Sequence, residues 1–272
     1  MKAGLVQLTS GDDPTENLVT TQEMVAQAAA QGAGFVLTPE ATNCVSNSRA
    51  RQNEVLTLEQ DDPTLAALCL QASELGIWLS IGSLALKTTD ADGRFANRSF
   101  LIDPAGTIVA RYDKIHMFDV QVSKTESYAE SKGYRPGDQA VLAQTPFGRV
   151  GLTVCYDLRF AQLHRALAKA GADVLLVPSA FSPVTGAAHW EPLLRARAIE
   201  TGCYVLAAAQ TGDHGGGRRT YGHSLAVSPW GEVLVDGGCD CGITYVELVP
   251  HAVSDARNRI PALTHDRPFK GP

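Results

Sequence analysis

Short apolar runs, each closed by a polar or turn residue, alternate along the chain with stretches of helical period. Lys2-Ala-Gly-Leu-Val-Gln-Leu8, Phe35-Val-Leu-Thr-Pro-Glu-Ala41, Arg149-Val-Gly-Leu-Thr-Val-Cys155 and Val174-Leu-Leu-Val-Pro-Ser-Ala180 read as buried strands. Between them lie helices with legible ends. Asp13 is placed to cap the first, with Pro14 in its first position and Glu16 completing a capping box. Its apolar face carries Leu18, Val25, Ala28 and Ala29, and Gly32-Ala-Gly34 is its stop. Asp62-Pro63 opens the second helix, Leu65, Leu68, Ala72 and Leu75 form its stripe, and Gly76 closes it. Leu163, Leu167 and Ala170 mark a third before Gly171, and a fourth runs from His189 to Glu200. Two strand pairs, 98–102 with 107–112 and 223–228 with 232–235, turn at Pro104-Ala-Gly106 and Pro229-Trp-Gly231 as hairpins do.

The plan repeats. Strand 2–8 corresponds to 149–155, 35–41 to 174–180, and hairpin 98–110 to 223–235, in the same order with loops of different length. Each half reads strand, helix, strand, helix, strand, then a strand pair. Such alternation predicts largely parallel sheets with helices outside. Two halves, each with one sheet face needing cover, then stack sheet on sheet. The predicted fold is a four-layer α-β-β-α sandwich with an internal two-fold pseudo-repeat. No Pro-, Ser- or Gly-rich linker parts the halves, so residues 1–272 read as one domain.

Composition narrows the function. The chain has 272 residues, 44% hydrophobic and 19% charged, with a net charge of -6. No basic run exceeds Arg218-Arg219, which argues against nucleic acid. No apolar stretch has the length of a membrane span, and the N-terminus reads as a strand rather than a signal peptide. Six irregularly spaced cysteines suggest reduced thiols in the cytoplasm. Cys239-Asp-Cys241 lacks usual zinc spacing and reads as a loop, so no metal is expected.

Three side chains carry candidate chemistry. Cys155 ends an apolar strand where a polar turn enters a helix, a position whose backbone N–H groups favour thiolates and oxyanions. A buried core cysteine is the bland alternative. Glu40 also ends a strand, as a solvated charge or as a partly buried base. Under the repeat its counterpart is Ser179, and that of Cys155 is Leu8. Lys114 lies among Tyr112, Ile115, Met117 and Phe118, apolar company in which a lysine needs a carboxylate or a substrate. Glu130 is a candidate partner, or a solvated loop residue. His116 and His189 compete with Glu40 as the base for a thiol, and spacing does not choose between them.

With these residues in view, the sequence resembles the nitrilase superfamily of carbon–nitrogen hydrolases. Thr38-Pro-Glu40, Tyr112-Asp-Lys-Ile-His116 and Cys155-Tyr-Asp-Leu-Arg159 are similar to its three catalytic motifs, in order and spacing, and Glu130 to its second glutamate. Pro178-Ser-Ala-Phe-Ser-Pro-Val-Thr-Gly-Ala-Ala-His-Trp-Glu191 and Leu194-Arg-Ala-Arg-Ala-Ile-Glu-Thr-Gly-Cys-Tyr-Val205 look like the deaminated glutathione amidase branch. Segments 119–137 and 213–219 depart from that branch's usual form, and both are expected to border the pocket. The resemblance implies that Glu40 takes the Cys155 proton and later protonates the departing ammonia or amine. It implies a thioester intermediate, an oxyanion held by Lys114 and the Tyr156 backbone N–H, and a Lys114 oriented by Glu130. It implies no cofactor, a small amide of a 2-oxo acid as substrate, and a homodimer. A substrate bearing carboxylates calls for cations, and Arg159 is nearest the nucleophile in sequence, with Phe181, Thr185 and Trp190 as further lining. Arg195, Arg197 and Glu200 read as structural pairs on one helix, and Arg218 and Arg219 as exposed loop charges, with substrate recognition the alternative. An ω-amidase, an N-carbamoyl hydrolase, a true nitrilase and a catalytically silent scaffold are the alternatives. No G-x-S-x-G elbow or P-loop appears, which disfavours a serine hydrolase or a nucleotide enzyme.

Overall fold

The structure is a computed structural model that describes residues 1–123 and 126–271. Lys124 and Thr125, inside the segment 119–137, and Pro272, the end of the expected tail, lie outside the described residues. The first half runs β1 (Lys2–Gln7), α1 (Pro14–Ala30), β2 (Phe35–Leu37), α2 (Arg49–Val55), α3 (Pro63–Leu75), β3 (Trp78–Leu86), β4 (Ala96–Ile102) and β5 (Ile108–Asp113). A small ribbon, β6 (Asp119–Gln121) with β7 (Ser127–Ala129), follows. The second half runs β8 (Val141–Thr145), β9 (Gly148–Leu152), α4 (Ala161–Lys169), β10 (Val174–Leu176), α5 (Pro183–Thr201) and β11 (Tyr204–Ala207). A second ribbon, β12 (Thr211–Asp213) and β13 (Arg219–Tyr221), precedes β14 (Leu225–Val227), β15 (Val233–Asp236), β16 (Gly242–Glu247) and α6 (Ala252–Arg259).

The pseudo-repeat appears in the strand order. One sheet is β16-β1-β2-β3-β4-β5, and the other, read from its opposite edge, is β8-β9-β10-β11-β14-β15. In each, three central strands are parallel, an antiparallel hairpin extends one side, and one antiparallel strand closes the other. The edge strands β8 and β16 were not among the sequence expectations. β16 returns from the end of the chain to pair with β1, Lys2 opposite Glu247.

Alternation sets the layers. On β1 and β2, Ala3, Leu5, Phe35 and Leu37 belong to the core shared with Val150, Leu152, Val174 and Leu176 of the other sheet. Val6 and Val36 point the other way, to Val25 and Ala28 of α1 and Leu65 and Leu68 of α3. On the far side Leu163, Leu167, Leu194 and Ala198 of α4 and α5 cover the second sheet. The four-layer α-β-β-α sandwich is thus the observed fold.

Capping follows the expected chemistry. Asp13 accepts from the backbone of Thr15 and Glu16, Asp62 accepts from Leu65, and Gly76 closes α3 with φ of 64°. Helix α5 differs from expectation: it begins at Pro183, not His189. Gly186 masks this start in the sequence, and it is there because a Cβ would come within 2.3 Å of the Tyr221 ring. His189 therefore does not cap the helix but lies within it.

Candidate active site

The carboxyl ends of β2, β9 and β10 converge, and Glu40 and Cys155 follow two of them. The Glu40 turn is fixed by several small bonds. Thr38 Oγ1 and Thr42 Oγ1 lie 2.8 Å apart, Thr42 Oγ1 donates to Pro39 O at 2.8 Å, and Gln210 Nε2 donates to Glu40 O at 3.1 Å. A register shift in β3 lets Gly82 reach this turn, where a Cβ would be 2.1 Å from Thr38 O and 2.5 Å from Pro178 Cβ. Only glycine permits that approach.

Cys155 opens a 3₁₀ turn, Cys155–Arg159, with φ of 50°, a strained value for a residue with a Cβ. Its N–H donates to Pro178 O at 2.9 Å. Asp157, fully buried, holds the turn in place. It accepts from Val154 N at 2.9 Å, from Tyr112 Oη at 2.6 Å, and from His116 N and Nδ1 at 3.0 and 2.7 Å. One carboxylate thus ties the nucleophile turn to the segment that carries Lys114.

Lys114 is 2% exposed and follows β5. Its Nζ donates to Glu40 Oε1 at 2.9 Å and to both oxygens of Glu130 at 2.9 Å. Glu130 also accepts from Phe118 N at 2.6 Å. Glu40 Oε1 accepts from Asn97 Nδ2 at 2.9 Å, and Oε2 from Ala180 N at 2.8 Å. The Cys155 thiol lies against the Glu40 carboxylate, and both line one cavity. Acid, ammonium and sulfur therefore meet at one place.

Burial decides the charge states. It pushes the Cys155 thiol well above its ordinary range, the Glu40 carboxylate pushes it further, and the Lys114 charge only partly opposes this. Burial also raises the Glu40 carboxyl, but the Lys114 charge outweighs it, together with hydrogen bonds from Cys155, Lys114 and Asn97. The net result is a carboxyl held below its ordinary value. Burial opposes the Lys114 charge, and Glu130 and then Glu40 override it, so the ammonium is retained. The resting site is a neutral thiol beside an ionised carboxylate. Such a thiol needs a base as it attacks, and the carboxylate touching it is Glu40.

These groups lie at the floor of a cavity of about 500 Å³, which Tyr156, Phe181, Thr185, Tyr128 and Arg218 also line. Segments 119–137 and 213–219 both reach its wall, through Tyr128, Glu130 and Arg218. Two expected lining residues do not. Arg159 turns towards α5, with Nη1 3.2 Å from His189 Nδ1 and its guanidinium over Tyr156 and Phe181. The 3₁₀ turn that points Cys155 inward sends the residue four positions on elsewhere. Trp190 is 1% exposed behind Phe181 and donates from Nε1 to His223 O at 2.8 Å, supporting the wall without lining it. Arg218, read from the sequence as an exposed loop charge, lines the cavity, while Arg219 is exposed.

The rival histidines also lie off the cavity wall. His116 stacks on Phe160 at 3.5 Å between ring centroids. Arg197 pairs with Glu200 at 2.6 Å and donates to Leu158 O, bracing the nucleophile turn from α5. Sequence reasoning missed Asn97, which binds Glu40. It stands in the polar stretch Asn97-Arg98-Ser99 at the start of β4, which gives no signal of its own.

Fold and cavity together are those of the nitrilase superfamily. The chain belongs to the carbon–nitrogen hydrolase family, whose profile matches residues 2–258. A Yersinia enterocolitica protein named deaminated glutathione amidase is 40% identical over 264 residues, 97% of this chain and 92% of that one. Among solved structures, the C. elegans NitFhit protein superposes with a TM-score of 0.92 at 35% identity, covering 98% of this chain. This chain spans 65% of that longer one. Saccharomyces cerevisiae Nit3, a member of branch 10 of the nitrilase superfamily, gives 0.86 at 27% identity and covers 99% of this chain and 97% of its own.

Proposed function

We propose that this protein is an amidase that hydrolyses the ω-amide of a small 2-oxo acid, deaminated glutathione, through a thioester on Cys155. The observation that carries the reading is that Glu40 touches both the thiol and Lys114 at the floor of a cavity. The name of the Yersinia relative, at 40% identity over nearly the whole chain, supports the substrate.

In this mechanism the sulfur attacks the amide carbon as Glu40 takes the thiol proton. The carbonyl electron pair moves onto oxygen. Lys114 and the Tyr156 backbone N–H stabilise that oxyanion, about 3–4 kcal/mol for one such donor. Protonation of Glu40 weakens its hold on Lys114 and frees an N–H for the oxyanion. The C–N bond then breaks and Glu40 gives its proton to the leaving amine. Water attacks the thioester, Glu40 takes a proton from it, the C–S bond breaks, and sulfur recovers its proton. Glu130 holds Lys114 charged and in place throughout.

The test is direct. Purified protein incubated with deaminated glutathione releases cysteinylglycine and 2-oxoglutarate, and 2-oxoglutaramate is turned over more slowly. Faster turnover of 2-oxoglutaramate selects the ω-amidase alternative, and inertness towards both rejects the reading.

We also infer a homodimer in the cytoplasm. Ile199, Trp230 and Ile260 are exposed apolar side chains around one groove beside Pro229, a surface suited to a second copy. All six cysteines are unpaired, which suits a reducing compartment. No helix among the described residues is long and apolar enough to cross a membrane. Sedimentation velocity reads the assembly as twice the 28.9 kDa chain mass, and Ile199→Asp shifts it towards one chain. A monomeric parent protein overturns the dimer.

A further inference from the structure

Three cations on the cavity wall, Arg49, the exposed Lys132 and Arg218, have no part in the hydrolytic steps. Arg218 follows the glycines 215, 216 and 217, whose positive φ values of 80°, 55° and 77° turn the chain back between β12 and β13. Its Nη2 donates to Ala180 O at 2.7 Å, and its guanidinium lies 4.8 Å from the centre of the Tyr128 ring. Its Nη1 is buried and has no hydrogen-bond partner. No carboxylate pairs with it among the described residues.

Several other arginines in the structure have carboxylate partners. Arg98 is bonded to Asp113 and Glu59, and Arg197 to Glu200. Arg49 also lines the cavity, but both its Nη atoms are spent on the carbonyls of Gly133 and Gly93. Arg218 alone among these combines a cavity position with an unused donor. Arg218 is half-buried with one buried, unused donor, and a planar carboxylate is the group that a guanidinium fork fits. Ala180 gives its N–H to Glu40 and its C=O to Arg218, so both side chains are bonded to the backbone of the same residue.

We propose that Arg218 binds a carboxylate of the substrate and thereby selects carboxylated amides over neutral ones. The choice of deaminated glutathione as the natural case rests on the function proposed above. The demand for a carboxylate does not. Deaminated glutathione offers two carboxylates, one on the 2-oxoacyl side and one on the glycine of the leaving amine.

Steady-state kinetics of the parent enzyme, Arg218→Gln and Arg218→Lys test this on three amides. They are deaminated glutathione, its glycinamide, and N-butyryl-cysteinylglycine, which lacks the 2-oxo-carboxylate. Arg218→Gln is expected to lower kcat/KM on deaminated glutathione about 100-fold, mainly through KM, with Arg218→Lys recovering part of it. The loss shrinks at least tenfold on whichever analogue lacks the carboxylate that Arg218 holds, which identifies the side. Equal losses on all three amides, or none on any, overturn the proposal. If the parent enzyme ignores deaminated glutathione, the substrate reading fails by itself. The Arg218 comparison is then made between succinamate and butyramide, which differ in their carboxylate, and an unchanged ratio in Arg218→Gln overturns it.

Discussion

Glu40→Gln is expected to lower kcat about 10⁴-fold, the range for loss of a group that both takes and returns the reacting protons, or about 5 kcal/mol of barrier. The amide keeps the shape of the side chain but takes no proton. It also puts an NH₂ where Glu40 accepts, either from Ala180 N or from Lys114 and Asn97. That mismatch costs about 1–3 kcal/mol of stability, so the variant still folds. Burial, the largest cause that holds the Cys155 thiol in its protonated form, remains in this variant, and the base is gone. Iodoacetamide therefore alkylates Cys155 more slowly than in the parent, as peptide mass spectrometry would show. Near-normal turnover by Glu40→Gln would remove Glu40 from the mechanism.

The pH profile of the parent enzyme follows from the same residue. Glu40 works ionised, and its carboxyl lies below the ordinary value of 4.5 because Lys114 and the hydrogen bonds outweigh burial. Activity is therefore level through neutral pH and falls only on the acid side, as Glu40 takes up a proton. Stability moves in the same direction. A carboxyl held lower in the folded state contributes stability above its unfolded value, and that contribution is lost as pH falls through the folded one.

What the sequence made legible, and what it hid, follows from how local each signal is. Glu40 and Cys155 each end an apolar run, in different repeat positions whose counterparts are Ser179 and Leu8, and both showed as strand-end residues of a two-halved sandwich. Lys114 stood out as a charge in apolar company. Asn97 did not, because it sits beside Arg98 and Ser99 in a polar stretch, and its partner Glu40 is 57 residues away. The strand β16 was missed for a related reason. β16 pairs with a strand at the other end of the chain, and nothing nearby marks that return. Arg218 and Arg219 are neighbours in a glycine turn, where no periodicity tells which one faces the cavity. That is settled by three positive φ angles that only the folded backbone displays. Arg159 is off the cavity lining because closeness in sequence to the nucleophile is not closeness to the cavity. A 3₁₀ turn carries side chains around the axis within its own length.

Lys114→Met should produce the second large effect, on rate and on stability together. In the folded protein Glu40 and Glu130, with side chains 7% and 14% exposed, face one ammonium. Without it two carboxylates confront each other out of water. Breaking a buried ion pair by removing one partner costs about 3–5 kcal/mol, and the loss of an oxyanion donor lowers kcat about 10²–10³-fold. The acid–base behaviour of the variant inverts. One carboxyl of the pair now keeps its proton to higher pH than in the unfolded chain. Such a group stabilises the fold below its unfolded value, and that stabilisation is lost as pH rises. The variant is therefore relatively more stable in acid, where the parent is weakened, and thermal melts at pH 4.5 and pH 7.5 read the sign. Lys114→Met combined with Glu130→Gln relieves the repulsion and recovers part of the stability but none of the rate, because the oxyanion donor is still missing. If Lys114→Met alone melts like the parent at both pH values, the ammonium does not bind these carboxylates together. If its kcat falls less than tenfold, Lys114 does not hold the oxyanion.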